Sequence, residues 1–81
     1  MQLYLYHTLG CHLCELAEAV VSEVESQSAQ SYSLTKIDIA ASDELVALYG
    51  IRIPVLQAQG RSTTLDWPFD STDLHRYLAN R

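Results

Sequence analysis

The feature that most constrains the fold is the junction at GCHLC, residues 10–14, because it separates two stretches of different hydrophobic periodicity. Before it, QLYLY at positions 2–6 is apolar or aromatic at almost every position, as in a short strand covered on both faces. After it, apolar residues recur with the spacing of one helix face, at positions 13, 16, 17, 20, 21 and 24. The pattern predicts a strand that passes through a cysteine pair into an amphipathic helix.

The size and charge of the chain limit what it can do. Its 81 residues leave room for one hydrophobic core, so we predict a single domain over residues 1–81. A hydrophobic content of 48% is enough for that core. The net charge is -5 and the basic residues are scattered, so we expect no nucleic-acid partner. We find neither a signal peptide nor an apolar run of the ~20 residues that span a bilayer, and expect a cytoplasmic protein without membrane contact.

Two further segments follow the first helix. YSLTKIDI, residues 32–39, is rich in β-forming residues, and Lys36 suggests a partly exposed edge strand. SDELVALYG predicts a short helix that begins after Ser42 as its N-cap and ends at Gly50.

The last third of the chain predicts a hairpin and a closing helix. IRIPVLQA, residues 51–58, and RSTTL, residues 61–65, flank a Gln-Gly turn. The closing helix begins after DWPF, with Asp70 or Ser71 as its N-cap. The order βαβαββα predicts an α/β fold with a four-stranded mixed sheet and helices on both faces, in which the first two strands are parallel through a right-handed crossover.

Cys11 and Cys14 lie where the predicted strand ends and the helix begins, and this place changes their chemistry. The unsatisfied N–H groups and the positive dipole end of the first helical turn stabilise a thiolate. On a helical wheel Cys14 lies at the margin of the apolar stripe and Cys11 outside it, which leaves one sulfur exposed and the other shielded. This asymmetry suits thiol–disulfide exchange, in which an exposed thiolate attacks a disulfide and a second thiol resolves the mixed disulfide.

The charged neighbours of Cys11 act in opposite directions. An imidazolium at His12 attracts the thiolate and lowers the pKa of Cys11. Glu15, one turn later, opposes this effect, but we expect its charge to be screened on a solvated face. His12 is therefore predicted to make the protein more oxidising.

Two other interpretations of the cysteine pair stay open. Free cysteines are often buried as small hydrophobic residues. A zinc site needs about four ligands. The sequence has no second CxxC, and only His7 and His12 lie near enough to join the pair, so we expect no metal site.

The pattern as a whole resembles the thioredoxin fold and, more narrowly, the small glutaredoxin-like proteins of bacteria. LYHTLGCHLCELAEAV, YGIRIPVL and FDSTDLHRYL carry the resemblance over nearly the whole chain. It implies a thioredoxin-like fold of the glutaredoxin type and a thiol–disulfide oxidoreductase with Cys11 as the nucleophile and Cys14 as the resolving cysteine. The family's cis proline, which faces the disulfide, falls on Pro54 and makes the bond from Ile53 cis. We expect a monomer that needs no cofactor.

The residues expected to bind substrate are His12, Ile53 and Pro54. Pro54 shapes the edge beside the disulfide, and the backbone of Ile53 pairs with an extended segment of the substrate by β-addition. The partner is then a protein or a small molecule that carries a thiol or a disulfide. The alternative is a non-catalytic binding module that holds a protein partner or a metal ion in the same groove.

Glutathione is expected to be a poor partner. Glutaredoxins use a glycine pair before the last helix to help hold it, and the segment here is LDWPFDSTD. Asp66, Asp70 and Asp73 surround the start of that helix and would repel the carboxylate of glutathione.

Overall fold

The computed structural model describes residues 1–79, and residues 80 and 81, the end of the predicted domain, lie outside this range. Within it the predicted βαβαββα order is confirmed, with one 3₁₀ turn added before the second helix. The strands are β1 Gln2–His7, β2 Ser33–Asp38, β3 Val55–Ala58 and β4 Leu65–Asp66. The helices are α1 His12–Gln27, α2 Asp43–Tyr49 and α3 Ser71–Ala79, and the 3₁₀ turn is Ile39–Ala41.

The sheet has the strand order β2-β1-β3-β4. β1 runs parallel to β2 and antiparallel to β3, which is antiparallel to β4. Tyr6 aligns with Ile37 of β2 and with Val55 of β3. The carboxyl end of β1, which leads to Cys11, therefore lies beside the amino end of β3, which follows Pro54.

The core lies between one face of the sheet and the helices α1 and α3. Leu3 and Leu5 alternate along β1 with the tyrosines of the other face, and both are fully buried. They belong to a cluster completed by Leu56, Ala58, Ala17, Val21, Val24, Phe69, Leu74 and Leu78. Burial of each large aliphatic side chain contributes about 1.5–3 kcal/mol. Among the described residues, none of the helices is long and apolar enough to cross a bilayer.

The helix α2 covers only part of the opposite face. Tyr6 points to this face, and its ring stacks on Tyr49 of α2 with the ring centroids 4.4 Å apart. None of the seven residues of α2 is buried. Helices on both faces of the sheet were predicted, and α2 provides the thinner layer.

The buried face of α1 differs from the predicted stripe. Leu13 and Leu16 are exposed, whereas Cys14 is buried in line with Ala17 and the valines that follow. The valines that meet the sheet and α3 decide how α1 is turned about its axis, and Cys14 lies on their side of the helix. The second cysteine is thus inside the apolar face rather than at its margin.

The predicted hairpin strands are shorter than expected. The N–H groups of Arg52 and Ile53 both donate to the carbonyl of Tyr49, so the chain continues to turn after α2 and β3 begins only after Pro54. β4 has two residues. The hydroxyl of Tyr77 accepts from the N–H of Ala58 and donates to the carbonyl of Thr63, which holds the connection against α3.

The start of α3 identifies Asp70 as its capping residue. The Asp70 carboxylate accepts from the N–H of Asp73 at 2.9 Å, and the Asp73 carboxylate accepts from the N–H of Asp70 at 3.0 Å. Phe69, directly before the cap, and Leu74, in the next turn, are both buried, as in a hydrophobic staple. Side chains therefore fix both the polar and the apolar part of this helix start.

Candidate functional site

The two cysteines lie at the N-terminus of α1 and form a disulfide, with their Cα atoms 5.2 Å apart. Cys11 is the N-cap residue, and its Sγ accepts a hydrogen bond of 3.2 Å from the N–H of Cys14. A helix N-terminus stabilises negative charge through such N–H groups and through its dipole. A thiolate on Cys11 would gain both interactions after reduction.

The loop between β1 and α1 brings Cys11 to this position. Gly10 has a φ of 77°, in the left-handed region that glycine adopts without steric cost. The N–H of Cys11 donates to the carbonyl of Thr8 at 3.4 Å, and the carbonyl of Cys11 accepts from Glu15 at 3.3 Å. The chain thus turns once at Gly10 and enters the helix at the cysteine.

The two sulfur-bearing residues differ in exposure. Cys14 is 2% exposed, whereas Cys11 is only partly buried. Solvent therefore reaches Cys11 more easily than Cys14. The roles of Cys11 as nucleophile and Cys14 as resolving cysteine remain predictions that this difference supports.

A groove of about 130 Å³ lies beside the disulfide. Its walls are both cysteines, the loop 7–10 and the charged side chains of Glu15, Glu18 and Lys36. Glu18 and Lys36 form an ion pair of 3.5 Å that joins α1 to β2.

His12 is exposed, and the structure pairs it with Glu15. The Nδ1 atom of His12 lies 3.4 Å from the Glu15 carboxylate, and both side chains are more than 70% exposed, at 78% and 74%. From the sequence we expected Glu15 to oppose the effect of His12 on Cys11 only weakly, because solvent screens its charge. Because the carboxylate lies beside the ring, it offsets part of the attraction of an imidazolium for the Cys11 thiolate.

Ile53 and Pro54 directly precede β3, and the bond between them is cis, as predicted. Continuing the antiparallel register of β1 and β3 by one residue places the buried Pro54 opposite His7. The Ile53 N–H already donates to the carbonyl of Tyr49 at 3.1 Å. Of the two backbone groups expected to pair with a substrate, the Ile53 carbonyl is the one that has no partner within residues 1–79. A second cis bond, Trp67-Pro68, was not predicted.

Arg52 is the residue beside the site that sequence reasoning missed. Its Nε lies 3.0 Å from the Asp66 carboxylate, and the hydrogen bonds from Arg52 hold the pKa of Asp66 below its ordinary value. The two residues are 14 positions apart and meet through the pairing of β3 with β4. No local sequence pattern marks such a pair.

The three acidic residues near α3, which were expected to repel glutathione together, differ in their charge partners. Asp66 is paired with Arg52, and Asp73 lies 3.8 Å from Arg76. Asp70 keeps an exposed carboxylate, and the N–H of Asp73 lowers its pKa by donating a hydrogen bond to it. The predicted repulsion of glutathione therefore depends mainly on Asp70, which also occupies an N–H group at the start of α3.

Across residues 1–79, potential metal ligands do not come together. No three side chains of His, Cys, Asp or Glu in this range form a group that could hold an ion.

Comparison with known proteins agrees with this geometry. The sequence model of the protein family named Glutaredoxin-like domain matches residues 2–79. The X-ray structure of target protein XcR50 from X. campestris is 32% identical with a TM-score of 0.82, over 98% of this chain and 97% of that chain. The solution structure of protein Ne2328 from Nitrosomonas europaea is 32% identical with a TM-score of 0.79, over 94% of this chain and 88% of that chain.

A more distant structure shows the fold alone. Thioredoxin 1 from Thermosipho africanus TCF52B is 13% identical with a TM-score of 0.58, over 98% of this chain and 96% of that chain. Comparison with curated protein sequences gave no significant match. The mixed sheet, the disulfide at the start of α1 and the family match over residues 2–79 lead to one conclusion: this chain has the thioredoxin-like fold and belongs to the glutaredoxin-like domain family.

Proposed function

We propose that the protein is a thiol–disulfide oxidoreductase with Cys11 as its nucleophile and Cys14 as its resolving cysteine. The position of the Cys11 sulfur supports this most directly. Cys11 is a partly exposed residue, its sulfur accepts the N–H of Cys14 at the start of α1, and this sulfur is bonded to that of the buried Cys14. An exposed sulfur with a stabilised thiolate suits attack, and a shielded sulfur beside it suits resolution.

The exchange proceeds in two displacements. In the reduced protein, the Cys11 thiolate attacks one sulfur of a substrate disulfide, the substrate S–S bond breaks, and the other substrate sulfur leaves as a thiolate. Cys14 then gives its proton to the first substrate thiolate and attacks the Cys11 sulfur, which releases the second substrate sulfur as a thiolate. The substrate gains two electrons, the protein keeps the Cys11–Cys14 disulfide, and an external thiol reductant restores the dithiol.

Substrate binding is proposed at the edge formed by His12, Ile53 and Pro54. A substrate chain lying along this edge would donate a backbone N–H to the free carbonyl of Ile53, while the Ile53 N–H stays bonded to Tyr49. The backbone of Ile53 would then form one hydrogen bond with the substrate, whereas a complete β-ladder pairing would use both its N–H and its carbonyl. The partners are proteins or small molecules that carry a disulfide, with glutathione disfavoured by the carboxylate of Asp70 at the start of α3.

The proposal includes a monomer that acts in the cytoplasm without a cofactor. A close cysteine pair with no further cysteines is typical of redox chemistry in a reducing compartment.

A turnover assay tests the proposal. The purified protein would be supplied with a fluorescence-quenched peptide disulfide and an excess of a dithiol reductant. The wild type should accelerate reduction over the uncatalysed rate, Cys11→Ser should abolish the acceleration, and Cys14→Ser should accumulate a mixed disulfide at Cys11. A wild type that binds the peptide without accelerating its reduction would instead indicate the non-catalytic binding module.

A further inference from the structure

The chain that joins α2 to β3 is fixed by backbone hydrogen bonds at both ends. The N–H groups of Arg52 and Ile53 donate to the carbonyl of Tyr49 at 2.8 and 3.1 Å. At the other end, the carbonyl of Pro54 accepts from the N–H of Trp67 at 3.2 Å. We call residues 51–54 of this connection segment 51–54. The side chain of Arg52 also holds this segment in place.

The guanidinium of Arg52 binds three separate places. Its Nε and Nη2 atoms lie 3.0 and 3.1 Å from the two carboxylate oxygens of Asp66. Nη2 also donates to the hydroxyl of Thr64 at 3.3 Å, and Nη1 donates to the carbonyl of Leu48 at 3.4 Å. A planar guanidinium makes such a two-point contact in a defined orientation, which a lysine ammonium does not. Arg52 therefore ties segment 51–54 to the end of α2 and to β4.

Two aromatic rings extend these contacts to the strand that leads to the disulfide. The guanidinium carbon of Arg52 lies 5.2 Å from the ring centroid of Tyr49. The same ring stacks on Tyr6, near the carboxyl end of β1, from which the chain continues to Cys11. A continuous chain of contacts thus leads from Arg52 through Tyr49 to the end of β1.

The exposure of the contacts of Arg52 indicates that they add little to the stability of the fold. The Arg52 and Asp66 side chains are both 41% exposed, and exposed ion pairs stabilise a fold only slightly. Within segment 51–54, the Ile51 side chain is fully exposed, and no described residue donates to the Ile53 carbonyl. The contacts of Arg52 therefore hold a segment whose Ile51 side chain is exposed and whose last residue, Pro54, follows the register of β1 and β3 to a position opposite His7.

We propose that Arg52 is a positioning residue for substrate binding, which holds segment 51–54 in the shape that presents Ile51 and the Ile53 carbonyl to the substrate chain. The inference rests on the proposed exchange reaction at Cys11. Arg52 contacts neither sulfur in this assignment, so its loss should weaken substrate binding and leave the chemistry of Cys11 unchanged.

Steady-state kinetics with the peptide disulfide tests this assignment. For Arg52→Met we expect KM to rise about tenfold, which corresponds to about 1.4 kcal/mol of binding free energy. kcat and the rate of Cys11 alkylation by iodoacetamide should stay at wild-type values. Asp66→Asn keeps the size of the partner but removes its charge, and it should raise KM less, in the same direction. The matched control is Arg76→Met, because Arg76 is an exposed arginine on α3 whose ion-pair partner within residues 1–79 is Asp73.

Three outcomes would overturn the assignment. One is a folded Arg52→Met variant with the KM of Arg76→Met. Another is a fall in kcat or in alkylation with KM unchanged. If Arg52→Met does not fold, Asp66→Asn decides, and a wild-type KM for that variant counts against the role. A wild type without turnover would reject the proposed function and this inference together, whereas normal turnover with an unchanged KM in Arg52→Met rejects this inference alone.

Discussion

At the scale of single residues, the sulfur of Cys11 has two roles at one place: it forms the disulfide and it caps α1 by accepting the N–H of Cys14. Reduction removes the first role and leaves the second, so the helix N-terminus is available to a thiolate. Nearby charges then modify the pKa of Cys11. His12 and Glu15 follow Cys11 on α1, and their exposed side chains lie 3.4 Å apart.

Replacing His12 and replacing Glu15 should shift the pKa of Cys11 in opposite directions. His12→Ala removes a ring that attracts the thiolate when it is protonated and should raise the pKa of Cys11, while Glu15→Gln removes an anion and should lower it. A less stable thiolate makes His12→Ala less oxidising, with a more negative reduction potential. Thiolate absorbance against pH measures both variants, with Glu23→Gln, farther along the same helix, as the control. Equal absorbance curves for all four proteins would show that the helix terminus alone activates Cys11.

At the scale of elements, the sequence predicts where α2 ends but not why a glycine stands there. Gly50 marks the end of this helix, as predicted, but not for the usual reason. Its φ of -51° lies in the right-handed region, so no left-handed cap requires glycine. The Cβ of any other residue would lie 2.6 Å from the carbonyl oxygen of Val46. The glycine is required by crowding, which only the folded backbone reveals.

Gly50→Ala should therefore destabilise the protein by about 1–3 kcal/mol, the usual cost of overpacking. An alanine elsewhere in a helix would normally be favourable, which makes the sign of the effect diagnostic. Denaturant unfolding measures it, with Gly60→Ala, a position where an added Cβ meets nothing within 4 Å but φ is 84°, as a comparison for backbone strain alone. A Gly50→Ala variant as stable as the wild type would contradict the crowding account.

At the scale of the whole molecule, strand order and helix order follow from hydrophobic periodicity, turn residues and the crossover rule. The sequence pattern also located the cysteines at the strand-to-helix junction. It missed what depends on contacts between distant segments. The pairing of Arg52 with Asp66, the bond from Ile53 to Tyr49 and the shortening of β4 all arise where β3, β4 and the end of α2 meet.

The charge pairs also predict how stability depends on pH. Asp66 has a pKa below its ordinary value because Arg52 donates hydrogen bonds to it, and Asp70 is lowered by the N–H of Asp73. A carboxylate whose pKa is lower in the folded state contributes stability above its unfolded pKa and loses it as the pH falls through the folded value. The free energy of unfolding should therefore decrease below about pH 4. In Asp66→Asn this decrease should be smaller, and an identical acid profile would show that the pair contributes nothing.

The most direct test of the account is the order in which the two reduced cysteines react with an alkylating agent in the native protein. Cys11 is partly exposed and caps α1, whereas Cys14 is 2% exposed in the core. We predict that limiting iodoacetamide at neutral pH labels Cys11 at least about tenfold faster than Cys14, as peptide mass spectrometry would measure. Faster labelling of Cys14, or equal labelling of both in the folded protein, would contradict the assignment of Cys11 as the nucleophile.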